Sequence, residues 1–127
     1  MILTKRFRFE AAHLLPRHPG KCRFLHGHSY ALRVAIEMAV DPETGMGCDF
    51  DELAGIVEKQ VLAQADHRNL NEFLDNPTAE NICVWIWQRL VDHVPGRLVE
   101  IELHETEDCS CVYRGPDSEQ TPLEKKK

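Results

Sequence analysis

The stretch KCRFLHGHSY, residues 21 to 30, carries one thiol and two imidazoles within seven positions, Cys22, His26 and His28. His26 and His28 are two residues apart, and in extended chain such residues project to the same side. Both rings can therefore reach a common point. His13 closes an alternating segment upstream, and the chain between His13 and His26 has the length of a long hairpin connection. If the two segments pair, three imidazoles converge at one end of a sheet. Three neutral His ligands suit Zn2+ at ~2.0–2.1 Å and leave a fourth position open, which belongs to catalysis more than to structure. Cys22 keeps a second possibility alive, because a thiolate with three histidines could close a purely structural site.

Three further groups could do chemistry. Asp66 and His67 are neighbours in ADHRN, past the amphipathic part of a predicted helix. Such a pair can orient an imidazole for proton transfer near neutral pH, or it can simply be a helix-ending His beside a surface Asp. Glu105 follows the alternation of Val99, Ile101 and Leu103, with Thr106 beside it. A carboxylate on an apolar face either emerges at the strand end or meets a specific donor. Cys109 and Cys111 resemble half a metal site, but no second CxC or CxxC completes it, and free cysteines are commonly buried structural residues.

The elements that must position these groups show in the periodicity. Residues 2–13 alternate as a strand, with Leu3, Phe7, Phe9, Ala11 and His13 opposite Arg6, Arg8 and Glu10. LLPRHPGKC reads as a loop, and residues 28–40 alternate again. The period then becomes helical through Phe50, Leu53, Ala54, Val57, Val61 and Ala65, with Asp49 as N-cap and Glu52 three residues on. Thr78 caps a second helix with the face Ile82, Trp85, Ile86, Leu90 and Val94, ended by Pro95-Gly96. Residues 98–106 form a third strand, and Cys111 to Arg114 a fourth. The order ββααββ predicts an α+β fold, a four-stranded antiparallel sheet with both helices on one face. Residues 1–115 form the expected catalytic domain, and 116–127 read as a frayed tail without apolar periodicity. A sheet this small has edges and a second face to protect, so self-association is expected.

Composition excludes several classes. The chain has 127 residues, 43% hydrophobic and 28% charged, enough for one domain with a real core. No segment approaches the ~20 apolar residues of a membrane-spanning helix. The start MILTKRFRFE lacks the apolar region of a secretory signal, and five cysteines is an odd number. Reduced thiols in the cytoplasm are the expectation. The net charge of −6 argues against sequence-independent nucleic-acid binding. Yet residues 1–33 hold seven of the fifteen Lys and Arg against a single acid, Glu10. A basic entry segment on an acidic body suits a small anionic ligand such as a phosphate ester.

Taken in order, EAAH (10–13), C-x3-HGH (22–28), DF (49–50), ADHRNLN (65–71), PTAEN (77–81) and HETED (104–108) resemble the 6-pyruvoyl-tetrahydropterin synthase family. Within it, the chain is most similar to the bacterial branch that makes 6-carboxy-5,6,7,8-tetrahydropterin for queuosine biosynthesis. The resemblance runs from about residue 5 to residue 114. It implies the tunnelling fold, or T-fold, whose ββααββ subunits join their sheets into a barrel as trimers, two trimers stacking into a hexamer. It implies zinc on His13, His26 and His28, with Cys22 as catalytic thiol. Asp66 and His67 match the remaining acid–base pair, contributed across a subunit boundary. Glu105 matches a glutamate that grips the pterin ring, and Thr106 lies where the pocket is completed. The implied substrate is 7,8-dihydroneopterin triphosphate. The three-residue gap from Cys22 to His26 looks like the carboxy-forming branch. The alternatives are the pyruvoyl-forming reaction and a zinc- and pterin-binding protein without turnover.

Overall fold

The computed structural model describes residues 1–116, so residues 117–127 of the expected tail lie outside the described residues. Strand β1 (Ile2–His13) buries Phe7, Phe9, Ala11 and His13 and turns Arg6, Arg8 and Glu10 to the other face, as a period of two requires. It pairs antiparallel with β2 (His26–Glu37) along its whole length, from Ile2 opposite Glu37 to His13 opposite His26. The connection carries one 3-10 turn, Lys21–Arg23, and is drawn together by Leu15 N–H donating to the Cys22 carbonyl at 2.9 Å.

The first helix comes in three joined pieces: α1 (Phe50–Val57), a π-helical stretch (Glu58–Leu62) and the short α2 (Ala63–Ala65). Asp49 caps it, its side chain accepting from Asp51 N–H at 2.9 Å. In a straight α-helix, residues eight apart have rotated off a common face. The wider π turns wind less per residue, which lets Val57, Val61 and Ala65 all reach the core. Helix α3 (Ala79–Leu90) is capped by Thr78, which accepts from Asn81 N–H at 3.1 Å. It buries Ile82, Cys83, Ile86, Trp87 and Leu90, whereas Trp85, expected on that face, is only half-buried and packs on Phe73.

The α+β order is as expected, but the sheet is five-stranded and mixed, in the order β3-β1-β2-β4-β5, and it is open in the single chain. The unexpected member, β3 (Arg68–Asn69), runs parallel to β1 at Ala11 and Ala12. Two residues are too few to show a period, which hides such a strand in the sequence. β4 (Arg97–His104) pairs with β2, and β5 (Ser110–Tyr113) pairs with β4. The β2–β4 register shifts between Ala35 and Ile36. This bulge puts Leu98 into the core in place of Val99, while Ile101 and Leu103 keep the buried face. One apolar core lies between the sheet and the helices, built from Phe9, Tyr30, Leu32, Leu53, Ile86, Ile101 and their neighbours.

Candidate metal centre and its surroundings

The pairing of β1 with β2 brings His13 directly opposite His26, and Ala11 opposite His28. All three rings project on the core side, at the end of the sheet. The Nε2 or Nδ1 atom that each offers lies within 4.8 Å of the other two. His13 is fully buried, and His26 and His28 are half-buried.

The second nitrogen of two rings is already committed. His13 Nδ1 donates to the Pro77 carbonyl at 2.8 Å, and His26 Nδ1 donates to the Phe24 carbonyl at 2.8 Å. In a neutral imidazole the other nitrogen then carries a lone pair. Those two lone pairs face each other, Nε2 to Nε2, at 3.0 Å. His28 Nε2 is buried and has no hydrogen-bond partner. Burial disfavours the charged ring and holds His13 and His28 below the ordinary imidazole range, outweighing the nearby Glu105 carboxylate, which pulls the other way. Three convergent ring nitrogens, two of them on rings whose other nitrogen is bonded to a carbonyl and the third without a partner, suit a cation, and the residues fit a metal ion. The hydroxyl of Tyr30 lies 3.3 Å from His13 Nδ1, and its ring stacks on Phe9 at 4.9 Å.

Glu105 stands beside this centre, with Oε2 3.6 Å from His13 Nε2 and 3.8 Å from His28 Nε2. It is held there by the turn after β4, where Glu105 N–H donates to the Cys109 carbonyl at 3.0 Å and Cys109 N–H to the Thr106 carbonyl at 3.4 Å. The carboxylate emerges at the strand end and also meets specific neighbours, which joins the two readings open in the sequence. Thr106 lines the cleft next to it.

Asp66 and His67 form the expected pair, Asp66 Oδ1 lying 3.0 Å from His67 Nδ1. The same oxygen accepts Glu10 N–H at 2.9 Å, and His67 N–H donates to the Glu10 carbonyl. The Glu10 main chain, with His67 next, holds the Asp66 carboxyl below its ordinary value. His67 adopts a positive φ of 62°, uncommon for a non-glycine residue. Its ring and His28 line one cleft of about 540 Å³. Cys22 is half-buried in the 3-10 turn and lines neither cleft that touches His28.

Sequence reasoning missed several supports. Asn71 clamps the Leu14 main chain, accepting its N–H at 2.9 Å and donating to its carbonyl at 3.1 Å, which fixes the chain just beyond His13. Tyr30 continues the spacing of His26 and His28, a signal present in the sequence. The Pro77 and Phe24 carbonyls are main-chain groups that no residue type announces.

A mixed α+β sheet carrying a three-imidazole centre at the end of its long hairpin defines a small class of subunits. The family described as 6-pyruvoyl tetrahydropterin synthase matches residues 2–116, and the chain belongs to it. The chain is 42% identical over 122 residues to the 6-carboxy-5,6,7,8-tetrahydropterin synthase of Synechocystis sp., covering 91% of this chain and 94% of that one. It is 34% identical over 130 residues to the 6-pyruvoyl tetrahydrobiopterin synthase of Dictyostelium discoideum, covering 91% and 96%. It is 40% identical over 91 residues to the dihydroneopterin monophosphate aldolase of Pyrococcus furiosus, covering 72% and 75%. The structure of Caenorhabditis elegans 6-pyruvoyl tetrahydropterin synthase superposes with a TM-score of 0.82 at 28% identity, covering 91% of this chain and 95% of that one. The fold is the expected T-fold. Among the described residues, no helix is long and apolar enough to cross a membrane.

Proposed function

We propose that the chain is a zinc-dependent 6-carboxy-5,6,7,8-tetrahydropterin synthase. It converts 7,8-dihydroneopterin triphosphate and water to 6-carboxytetrahydropterin, acetaldehyde and triphosphate. The observation that carries this reading is the convergence of His13, His26 and His28 with the Glu105 carboxylate beside them. The 42% identity to a 6-carboxytetrahydropterin synthase over most of both chains supports it.

His13, His26 and His28 would hold the zinc ion, which would supply Lewis-acid chemistry to the oxygens of the substrate's side chain. Cys22 takes a proton from the substrate's side-chain carbon. His67, oriented by Asp66, returns protons to the ring or to oxygen. Triphosphate leaves by elimination, and carbon–carbon cleavage releases acetaldehyde. Glu105 grips the pterin ring, its carboxylate accepting the two parallel donors of the amino-amide edge, and Thr106 borders the same cleft. The enzyme works in the cytoplasm for queuosine biosynthesis as a hexamer of two trimers, each trimer closing the open sheet into a barrel.

The relatives named for other reactions give the competing readings. The test is incubation of zinc-loaded protein with dihydroneopterin triphosphate, then mass analysis. Acetaldehyde and the 6-carboxy product are expected in equal amounts. Accumulation of 6-pyruvoyltetrahydropterin without acetaldehyde would assign the pyruvoyl reaction. Turnover of the monophosphate alone would assign the aldolase. Zinc and pterin bound without any product would leave a binding protein.

A further inference from the structure

The open face of the sheet, opposite the helices, carries five arginines whose surroundings differ. Arg33 donates to Glu102 at 2.9 Å and pairs with Glu100. Arg97 pairs with Glu37 at 2.6 Å, and Arg114 with Glu100 at 3.0 Å. Arg6 and Arg8, on β1, have no ion-pair partner among the described residues, and both are exposed. Of the acids near them, Glu102 holds Arg33 and His104 and Glu10 accepts the Ser29 hydroxyl, while Glu105 and Glu107 line the same cleft without pairing to either arginine.

These two unneutralised cations are not on bare surface. They line a cleft of about 560 Å³ whose other wall contains His28, Glu105 and Thr106. Arg8 pairs across the sheet with Ala31, and Arg6 with Arg33. Ala31 is short, so the floor beside Arg8 stays low. Arg33 is drawn toward β4 by its two carboxylates, away from Arg6. Arg8 and His28 project to opposite faces of the sheet, but both line this cleft, where β2 runs on past the start of its pairing with β4 at Ala31. Along β2 the Arg8 rung is three residues from His28, about 10 Å at ~3.4 Å per residue. A flexible chain of linked phosphates joined to a group at the histidines spans that distance. Guanidinium groups grip phosphate oxygens in pairs, and a cleft focuses their field.

We propose that Arg6 and Arg8 form a polyphosphate subsite, which holds the triphosphate of the substrate while its side chain lies at the histidine centre. The inference rests on the function proposed above for the substrate, but the cleft and its two free arginines stand without it. The subsite receives the leaving group along the open face, and it selects a triphosphate over a monophosphate because the second arginine lies two residues further out along β1.

The test uses inorganic triphosphate as probe, so that it does not depend on turnover. Calorimetric titration of the full-length protein without added metal should show binding that weakens with salt. Arg6→Ala with Arg8→Ala should reduce that affinity about 100-fold, roughly tenfold per arginine and about 1.4 kcal/mol each. Arg6→Lys with Arg8→Lys should recover part of it, since point charges replace paired donors. In zinc-loaded enzyme the alanine pair should raise KM for the triphosphate substrate while leaving affinity for unphosphorylated dihydroneopterin unchanged. Unchanged titration curves in the alanine pair would overturn the subsite. Loss of triphosphate binding in a protein that never turns over a pterin would keep the subsite and overturn the proposed reaction instead.

Discussion

His13 Nε2 and His26 Nε2 face each other at 3.0 Å although each ring has already given its other nitrogen to a carbonyl, Pro77 for His13 and Phe24 for His26. Neither neutral ring has a proton left to place between them, so the pair repels until a cation or an added proton arrives. The three rings can hold an ion, and its occupancy should support the fold. Zinc should bind one per chain and raise the melting temperature over chelator-treated protein, since a ligand that binds only the native state stabilises it. His26→Ala should weaken zinc binding at least ~100-fold, as expected for loss of one of three ligands. Full zinc content in that variant, measured by atomic emission, would place the ligands elsewhere.

Cys22→Ala tests whether the thiol belongs to the metal. Cys22 sits in the 3-10 turn ahead of β2, and the ligand cluster is complete with three histidines. The variant should keep its zinc and lose at least ~100-fold in turnover, within the usual contribution of a positioned proton-transfer group. Loss of zinc would favour the closed four-ligand site.

Glu105→Gln keeps the size of the side chain and exchanges one acceptor oxygen for a donor. The carboxylate is 3.6 Å from His13 Nε2, so the change falls at the centre and not on a distant wall. The protein should fold and retain zinc, while substrate affinity falls by at least ~100-fold, about 2.7 kcal/mol. Direct titration with a non-reacting pterin lacking the triol side chain adds a second readout. Unchanged affinity for that compound would assign Glu105 to the side-chain end, and an equal loss would assign it to the ring.

The strands and both helices were legible because each buries one face, and burial writes a period of two or 3.6 into the residues. The convergence of His13 with His26 and His28 was legible for the same reason: the alternation that buries Phe9 and Tyr30 carries the three rings to one side. Features that depend on a one-residue change of register were not legible. The bulge that exchanges Val99 for Leu98, the π-helical stretch at Glu58–Leu62 and the two-residue β3 each alter geometry without altering composition. The freedom of Arg6 and Arg8 was hidden too, since it follows from which carboxylates Arg33, Arg97 and Arg114 have taken.

The Arg33 cluster predicts a pH dependence of stability. Hydrogen bonding to Arg33 holds the Glu102 carboxyl below its ordinary value, with His104 adding to the effect. A depressed native pKa means that the stabilisation is present above the unfolded carboxylate value, ~4.3, and is lost as pH falls through the native value. Glu102→Gln should therefore flatten the acid limb of the stability curve in that window. At neutral pH it should cost roughly 1 kcal/mol or less, because the pair is partly solvated. Urea unfolding at a series of pH values measures both, and an unchanged acid limb would show that the pair contributes nothing.

The turn before β4 sets where that strand begins, and hence where Glu105 ends up. Gly96 has φ of +72°, a region that costs an L-residue roughly 1–2 kcal/mol. A Cβ there would also collide with the Glu37 carbonyl oxygen and lie 2.5 Å from Met38 Cγ. The oxygen belongs to the main chain of β2 and cannot swing aside, so strain and overlap add. Gly96→Ala should destabilise the protein by about 2 kcal/mol or more, within the range expected when a special backbone position is lost. Gly55→Ala is the matched control: it lies in α1 with open space around its Cβ position, where alanine is the better helix former by ~1 kcal/mol. Chemical unfolding should move the two variants in opposite directions. A Gly96→Ala protein as stable as the parent would mean that the turn can re-form with negative φ, and that the position of β4 is fixed by its pairing with β2 alone.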